Sequence, residues 1–150
     1  MNNNTIIRRI NESDRENFLE MSREFYSSDA VLHEIPNSYH ERAFDELMRS
    51  GDYLICYIFE KDGAAVGYAM LNKMFMHECG GIVLWVEELY IRESCRGMGL
   101  GHEFFSFLEQ NEPSLRYRLE VEPENLRARS LYERLGYETL PYMQMIKDNK

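Results

Sequence analysis

About two-thirds of the way along the 150-residue chain the hydrophobic period changes, and that change restricts the fold more than any other feature. Ile82–Arg92 reads as a strand, and its uncharged apolar run Ile82–Val86 has the length of a buried one. A glycine-rich stretch follows, Arg96-Gly97-Met98-Gly99-Leu100-Gly101-His102. From about Gly99 the apolar residues Leu100, Phe104, Phe107 and Leu108 recur at i, i+4, i+7 and i+8, which predicts a helix over 99–110. Pro113 closes that segment, and Arg116–Glu122 alternates as a second strand. Strand, helix and strand in this order form a βαβ unit, so strands 82–92 and 116–122 are expected to run parallel with a right-handed crossover.

The remaining segments read as antiparallel and hairpin-connected. Thr5–Ile10 is a short strand candidate. Ser13 with Glu16 has capping-box spacing, and Phe18, Met21, Ser22 and Phe25 continue at helical period, predicting a helix over 13–26. A loop around Ala30–Pro36 leads to a second such box, Ser38 with Glu41. Ala43, Phe44, Leu47 and Met48 then share one face of a helix over 38–50, stopped by Gly51. Tyr53–Phe59 and Ala64–Met74 are strand-like runs joined by Lys61-Asp62-Gly63, a D-G hairpin signal. Asn125 is placed to cap a helix running to Leu135 and ending at Gly136. Two further strands are expected near Tyr137–Thr139 and Tyr142–Lys147. The expected order is β-α-α-β-β-β-α-β-α-β-β. The fold class is therefore α/β in the α+β sense: a mixed, mostly antiparallel sheet with a central parallel βαβ unit, flanked by helices.

No linker, repeat or low-complexity segment interrupts the chain, so residues 1–150 are expected to form one domain. Apolar residues at 44% allow a packed core, while a net charge of −9 argues against a nucleic-acid or anionic-membrane partner, both of which need a basic footprint. Cys56, Cys79 and Cys95 have no paired spacing. Together with a polar, basic N-terminal stretch and no long apolar run, they point to a soluble protein of the reducing cytoplasm.

The glycine stretch carries the densest chemical signal. Glycines at alternate positions let the backbone approach a ligand closely and turn amide N–H groups outward. The following helix N-terminus and Arg96 add positive charge, so the segment suits a phosphate or pyrophosphate. A turn that merely connects strand to helix is the alternative. The phosphate-loop pattern lacks its Gly-Lys-Ser/Thr, and the dinucleotide pattern fails at His102. His33, Glu34 and His40, and separately His77, Glu78 and Cys79, have no zinc spacing, so no metal is expected. Cys95 has no His/Asp partner nearby in sequence to make it a nucleophile.

Two segments carry a family resemblance. EELYIRESCRGMGLGHEFFSFLE resembles the acetyl-CoA-binding motif of the GNAT N-acetyltransferases, Arg/Gln-x-x-Gly-x-Gly/Ala, through Arg96, Gly99 and Gly101. VEPENLRARSLYERLGYE is similar to that family's second motif, with Asn125, Ala128, Leu131, Tyr132, Gly136 and Tyr137 in register. The resemblance is strong over roughly residues 82–139 and architectural before that.

The resemblance implies a GNAT fold and acetyl transfer from acetyl-CoA to a primary amine, made directly within a ternary complex. The parallel strands would splay to admit the pantetheine. Backbone groups of Leu89, Tyr90 and Ile91 would bind the pantetheine arm. Amides of Gly97, Met98, Gly99, Leu100, Gly101 and His102 would hold the pyrophosphate, with Arg96 leading into the loop. Asn125 would contact the pantetheine side, and Tyr132 would protonate the departing thiolate. Dimers are common in the family, so a homodimer is an expected assembly, with the C-terminal strands as its edges.

An amine acceptor is protonated at neutral pH and attacks only when neutral, so a general base is needed. Glu87 has the spacing of the glutamate that serves polyamine-acetylating relatives, nine residues before the loop arginine. A solvated or salt-bridged carboxylate is its other reading, as core packing is for Tyr132. Because strand side chains alternate, at most one of Glu87 and Glu88 is expected to face the reacting groups, leaving Glu88 to orient the acceptor. Glu120 and Glu122 would share one face. The charge of −9 and the paired glutamates favour a small cationic amine such as a polyamine or aminoglycoside. A peptide or protein amine, and a non-catalytic acetyl-CoA-binding module, are the alternatives.

Overall fold

The computed structural model describes residues 4–149. They fall into two compact units, within Met1–Glu120 and Val121–Lys150. The first holds β1 (Thr5–Arg9), α1 (Arg15–Tyr26), α2 (Asn37–Arg49), β2 (Leu54–Lys61), β3 (Ala64–Met76), β4 (Gly81–Ile91), α3 (Leu100–Asn111) and β5 (Tyr117–Leu119). Its sheet runs β1-β2-β3-β4-β5, antiparallel between the first four strands and parallel between β4 and β5. The parallel pair is the expected consequence of carrying the chain back across the sheet through α3.

β2 and β3 join through Asp62 and Gly63, both at positive φ (52° and 81°). Aspartate and glycine tolerate that backbone, and its twist matches the flanking strands. α1 and α2 cover one sheet face. Phe18, Met21, Phe25, Phe44 and Leu47 pack there on Cys56, Ile58, Tyr68, Met70 and Tyr90. α3 covers the other face with Leu100, Phe104, Phe105 and Leu108, the Phe104 ring lying 5.6 Å from that of Phe59. Helices on both faces explain why β2 reads as an uninterrupted apolar run rather than an alternating one.

The cap before α1 differs from the expected one. Asn11 Oδ1 accepts from Ser13 N at 2.9 Å, and Asp14 Oδ2 accepts from Asn11 N at 2.8 Å, closing a box on the short 3-10 turn Glu12–Asp14. Arg8 decides this: it grips both oxygens of the buried Asp14 at 2.7 and 2.8 Å and also reaches Glu60. α2 begins after Pro36 without a side-chain cap.

β5 is shorter than the expected 116–122. It pairs with β4 only over Leu84–Val86 and Tyr117–Leu119. The second unit contains α4 (Leu126–Arg134). The two strands expected near Tyr137–Thr139 and Tyr142–Lys147 do not form, and the segment is irregular. A strand needs a ladder partner, none pairs with this segment among the described residues, and Tyr142, Met143, Met145 and Ile146 all remain exposed. Among the described residues no helix is long and apolar enough to cross a membrane.

Candidate active site

In the first unit the chemistry-bearing residues lie along the C-terminal half of β4 and the loop after it. Leu71 opposes Val86 and Met70 opposes Glu88, which leaves Glu87 without a partner in a β-bulge. The bulge resets the alternation. Glu88, opposite Met70, turns into the face covered by α1 and α2, where it is buried. Tyr26 Oη donates to its Oε2 at 2.8 Å and Tyr68 Oη to its Oε1 at 2.7 Å. Glu87 accepts from Asn72 Nδ2. Asn72 pairs with Leu54, which packs against that same helix-covered face. Both carboxylates are therefore on one face, against the expectation that alternation would separate them.

Their protonation follows from this placement. Burial pushes the Glu88 carboxyl up from the ordinary glutamate range, with the Tyr68 and Tyr26 hydroxyls pulling the other way. Glu87 reaches solvent, yet the protein packed around its carboxyl pushes it up first, the Glu88 charge adds to that, Asn72 opposes, and Glu120 contributes. Sequence reasoning missed Tyr26, Tyr68 and Asn72. Nothing in their local pattern separates them from ordinary core and strand residues; only cross-strand register brings them to the glutamates.

β4 ends at Ile91, and β5 accompanies it only as far as Val86, so Leu89, Tyr90 and Ile91 have no ladder partner on the β5 side among the described residues. Gly67 lets β3 come close at this point, since a Cβ there would collide with the Tyr90 carbonyl. Arg92 is committed internally, reaching Glu20 at 2.7 Å and Glu24 at 3.0 Å. Arg96 uses Nε on the Ile91 carbonyl at 2.8 Å and sits 5.7 Å over the Tyr90 ring. Its terminal nitrogens have no protein partner among the described residues.

Gly97 (φ 77°) and Gly99 (φ 82°) take left-handed backbone that a side chain would strain. Gly99 is also the N-cap of α3, whose first turn has no side-chain cap. Among the described residues no backbone group accepts from the amides of residues 97–102; the next satisfied amide is Glu103, bonded to the Gly99 carbonyl at 3.0 Å. This cradle of outward amides at a helix N-terminus, next to an arginine, has the donor set an anionic pyrophosphate needs.

In the second unit Asn125 caps α4, its Oδ1 accepting from Ala128 N at 3.1 Å. Gly136, at φ 97°, ends the helix in a Schellman turn, with Tyr137 N bonding the Tyr132 carbonyl and Gly136 N the Glu133 carbonyl, both at 3.0 Å. The motif spacing from Asn125 to Tyr137 is thus the length of one capped helix with its stop. Tyr132 lies 6.0 Å from Tyr137, ring to ring, and burial pushes its phenol up, so it stays protonated at neutral pH.

The two histidine groupings have ordinary partners where they have any. His40 is buried and bonded to Ser22, while Glu78 pairs with Arg116. Among the described residues no cluster of His, Cys, Asp and Glu could hold a metal ion.

The sequence matches the Acetyltransferase (GNAT) family over residues 15–137. The chain belongs to the GNAT acetyltransferase family. Its five-stranded mixed sheet with flanking helices is the GNAT fold, shared with solved structures at low sequence identity. A possible acetyltransferase from Clostridium difficile 630 matches this GNAT chain with a TM-score of 0.80 at 17% identity, over 97% of this chain and 98% of that one. The aminoglycoside N-acetyltransferase AAC(6')-Iy, solved in complex with CoA, matches at 0.78 and 18% identity, over 97% and 95%. The same enzyme with a bisubstrate analog, CoA-S-monomethyl-acetylneamine, matches at 0.79 and 18%, over 97% and 99%. No curated protein matches the sequence.

Proposed function

We propose that this GNAT chain, acting as one catalytic domain over residues 1–150, transfers an acetyl group from acetyl-CoA to a primary amine of a small cationic molecule. The observation that carries the reading is the amide cradle of residues 97–102, set directly after a bulged strand that presents Glu87 and Glu88 on one face. The cradle amides and Arg96 hold the pyrophosphate of the co-substrate. Backbone groups of Leu89, Tyr90 and Ile91 extend the sheet toward the pantetheine, and Asn125 contacts it.

Glu87 takes the proton from the acceptor ammonium, directly or through a water, and the freed amine attacks the thioester carbonyl. Its solvent access and its shift toward neutral pH suit that task. Tyr132 gives its hydroxyl proton to the departing sulfur, a modest assistance because a thiolate is already a fair leaving group. Direct transfer needs both substrates bound together, and the bisubstrate complex of AAC(6')-Iy shows that a protein of this fold holds such a joined ligand. The acidic pair and the net charge of −9 favour a cationic acceptor.

The test is acetyl-CoA-dependent release of free thiol, screened over polyamines, aminoglycosides, amino acids and short peptides. Acceleration by a polyamine or aminoglycoside is expected. Acceleration by peptides alone would move the acceptor to a peptide or protein amine. Silence throughout, with acetyl-CoA still protecting the fold against heat, would make the chain a binding module.

A further inference from the structure

The bulge leaves one carboxylate in solvent contact and its neighbour buried, and the buried one has no role in the transfer as stated. Glu88 has a phenol on each oxygen, from Tyr26 at the end of α1 and Tyr68 in the middle of β3. A second buried polar pair lies on the same helix-covered side, Ser22 Oγ being 2.6 Å from His40 Nδ1. Two donors on a carboxylate hold its orientation and favour its charged form.

We propose that Glu88, clamped by Tyr26 and Tyr68, is a positioning residue for Glu87: a fixed buried anion beside the exposed carboxylate, on the sheet face where the bulge has brought them together. This rests on the reading of Glu87 as the base. Two adjacent like charges cannot both ionise freely, so the clamped one makes the other bind its proton more readily. Burial raises the Glu88 carboxyl, but two hydroxyl donors oppose that, while among the described residues Glu87 has the Asn72 amide as its one donor. The groups that face the pair are Tyr26 and Ser22 from α1, His40 from α2, Cys56 from β2, Tyr68 and Asn72 from β3, and Glu120 after β5. None of them is a lysine or arginine that would cancel the Glu88 charge, and burial with Arg23 nearby keeps His40 below its ordinary range, hence neutral.

The decisive variant is Glu88→Gln, which keeps the shape and removes the charge. Glutamate carboxyl carbons are followed by NMR in 13C-labelled protein without acceptor, and Glu87 is assigned by loss of its signal in Glu87→Gln. The Glu87 titration is expected to move down by about one pH unit in Glu88→Gln. The acid limb of kcat/KM for the acceptor moves with it, while KM for acetyl-CoA stays unchanged. Tyr26→Phe moves the titration in the same direction by less, because Glu88 then accepts the first proton; this variant decides the matter if Glu88→Gln does not fold. An unmoved Glu87 titration in a folded variant overturns the proposal, and lowered thermal stability alone would make Glu88 merely structural. A moved titration in a protein that acetylates no acceptor leaves the coupling standing and removes the catalytic reading of Glu87.

Discussion

Single side chains set the chemistry here by the company they keep. Tyr132 is a phenol held protonated by burial, and its proposed task is to give that proton once per turnover. Tyr132→Phe is expected to lower kcat by roughly ten- to a hundredfold, at the low end of general-acid effects because the leaving thiolate is already stable. Acetyl-CoA affinity measured by calorimetry should be unchanged; equal kcat would remove the tyrosine from the mechanism. Asp14 makes the complementary case for stability. Burial raises its carboxyl, but the Arg8 guanidinium and the Asn11 amide pull it below the usual range. A depressed carboxyl contributes stability above its unfolded pKa and loses it as pH falls through the folded one. Asp14→Asn should therefore cost about 1–3 kcal/mol at pH 7 in urea titrations. The gap between variant and parent should close as pH falls below the ordinary aspartate range. A gap that persists in acid would mean the side chain acts by packing instead of charge.

Elements owe their placement to both local signals and long-range register. The D-G turn, the Asn125 cap and the Gly136 stop are all legible because each is settled within a few residues by backbone conformation and a nearby donor. The β4 bulge is not. Every residue from Val83 to Ile91 could have continued the alternation, and only pairing with Met70 and Leu71 shows where the count slips. Gly67 is where that pairing is tightest near the site, since β3 and the end of β4 meet with no room for a side chain. Gly67→Ala is expected to destabilise the protein by about 1–3 kcal/mol, as overpacking does. It should also weaken acetyl-CoA binding, because the displaced backbone of Tyr90 and Ile91 is the proposed pantetheine edge. A loss of thermal stability with unchanged affinity would separate that edge from the ligand.

On the scale of the molecule, a chain of net charge −9 repels an anionic co-substrate at a distance, so binding must come from the local cradle. Acetyl-CoA at a hundred times its Kd should stabilise the folded protein by about 2.7 kcal/mol. For a chain of this size that raises the melting temperature by about 5–10 °C. Arg96→Ala should shrink the rise at fixed ligand concentration. No rise at any concentration would remove the cofactor assignment.

The sequence by itself determined the βαβ unit, the glycine loop at the start of α3, the capped helix from Asn125 and the family to which these motifs belong. Each depends on local spacing, which the chain carries wherever it folds. Tertiary structure alone decided that Glu87 and Glu88 share a face and that Tyr26 and Tyr68 close on Glu88. It also decided that Asp14 joins Arg8 instead of leaving the cap to Ser13. Those contacts join residues 6 to 62 positions apart, and a pairing slip of one residue reverses them. The same dependence explains the apolar segment at 142–147, which has strand-forming residues but no partner strand among the described residues, and hydrogen bonds across a ladder need both.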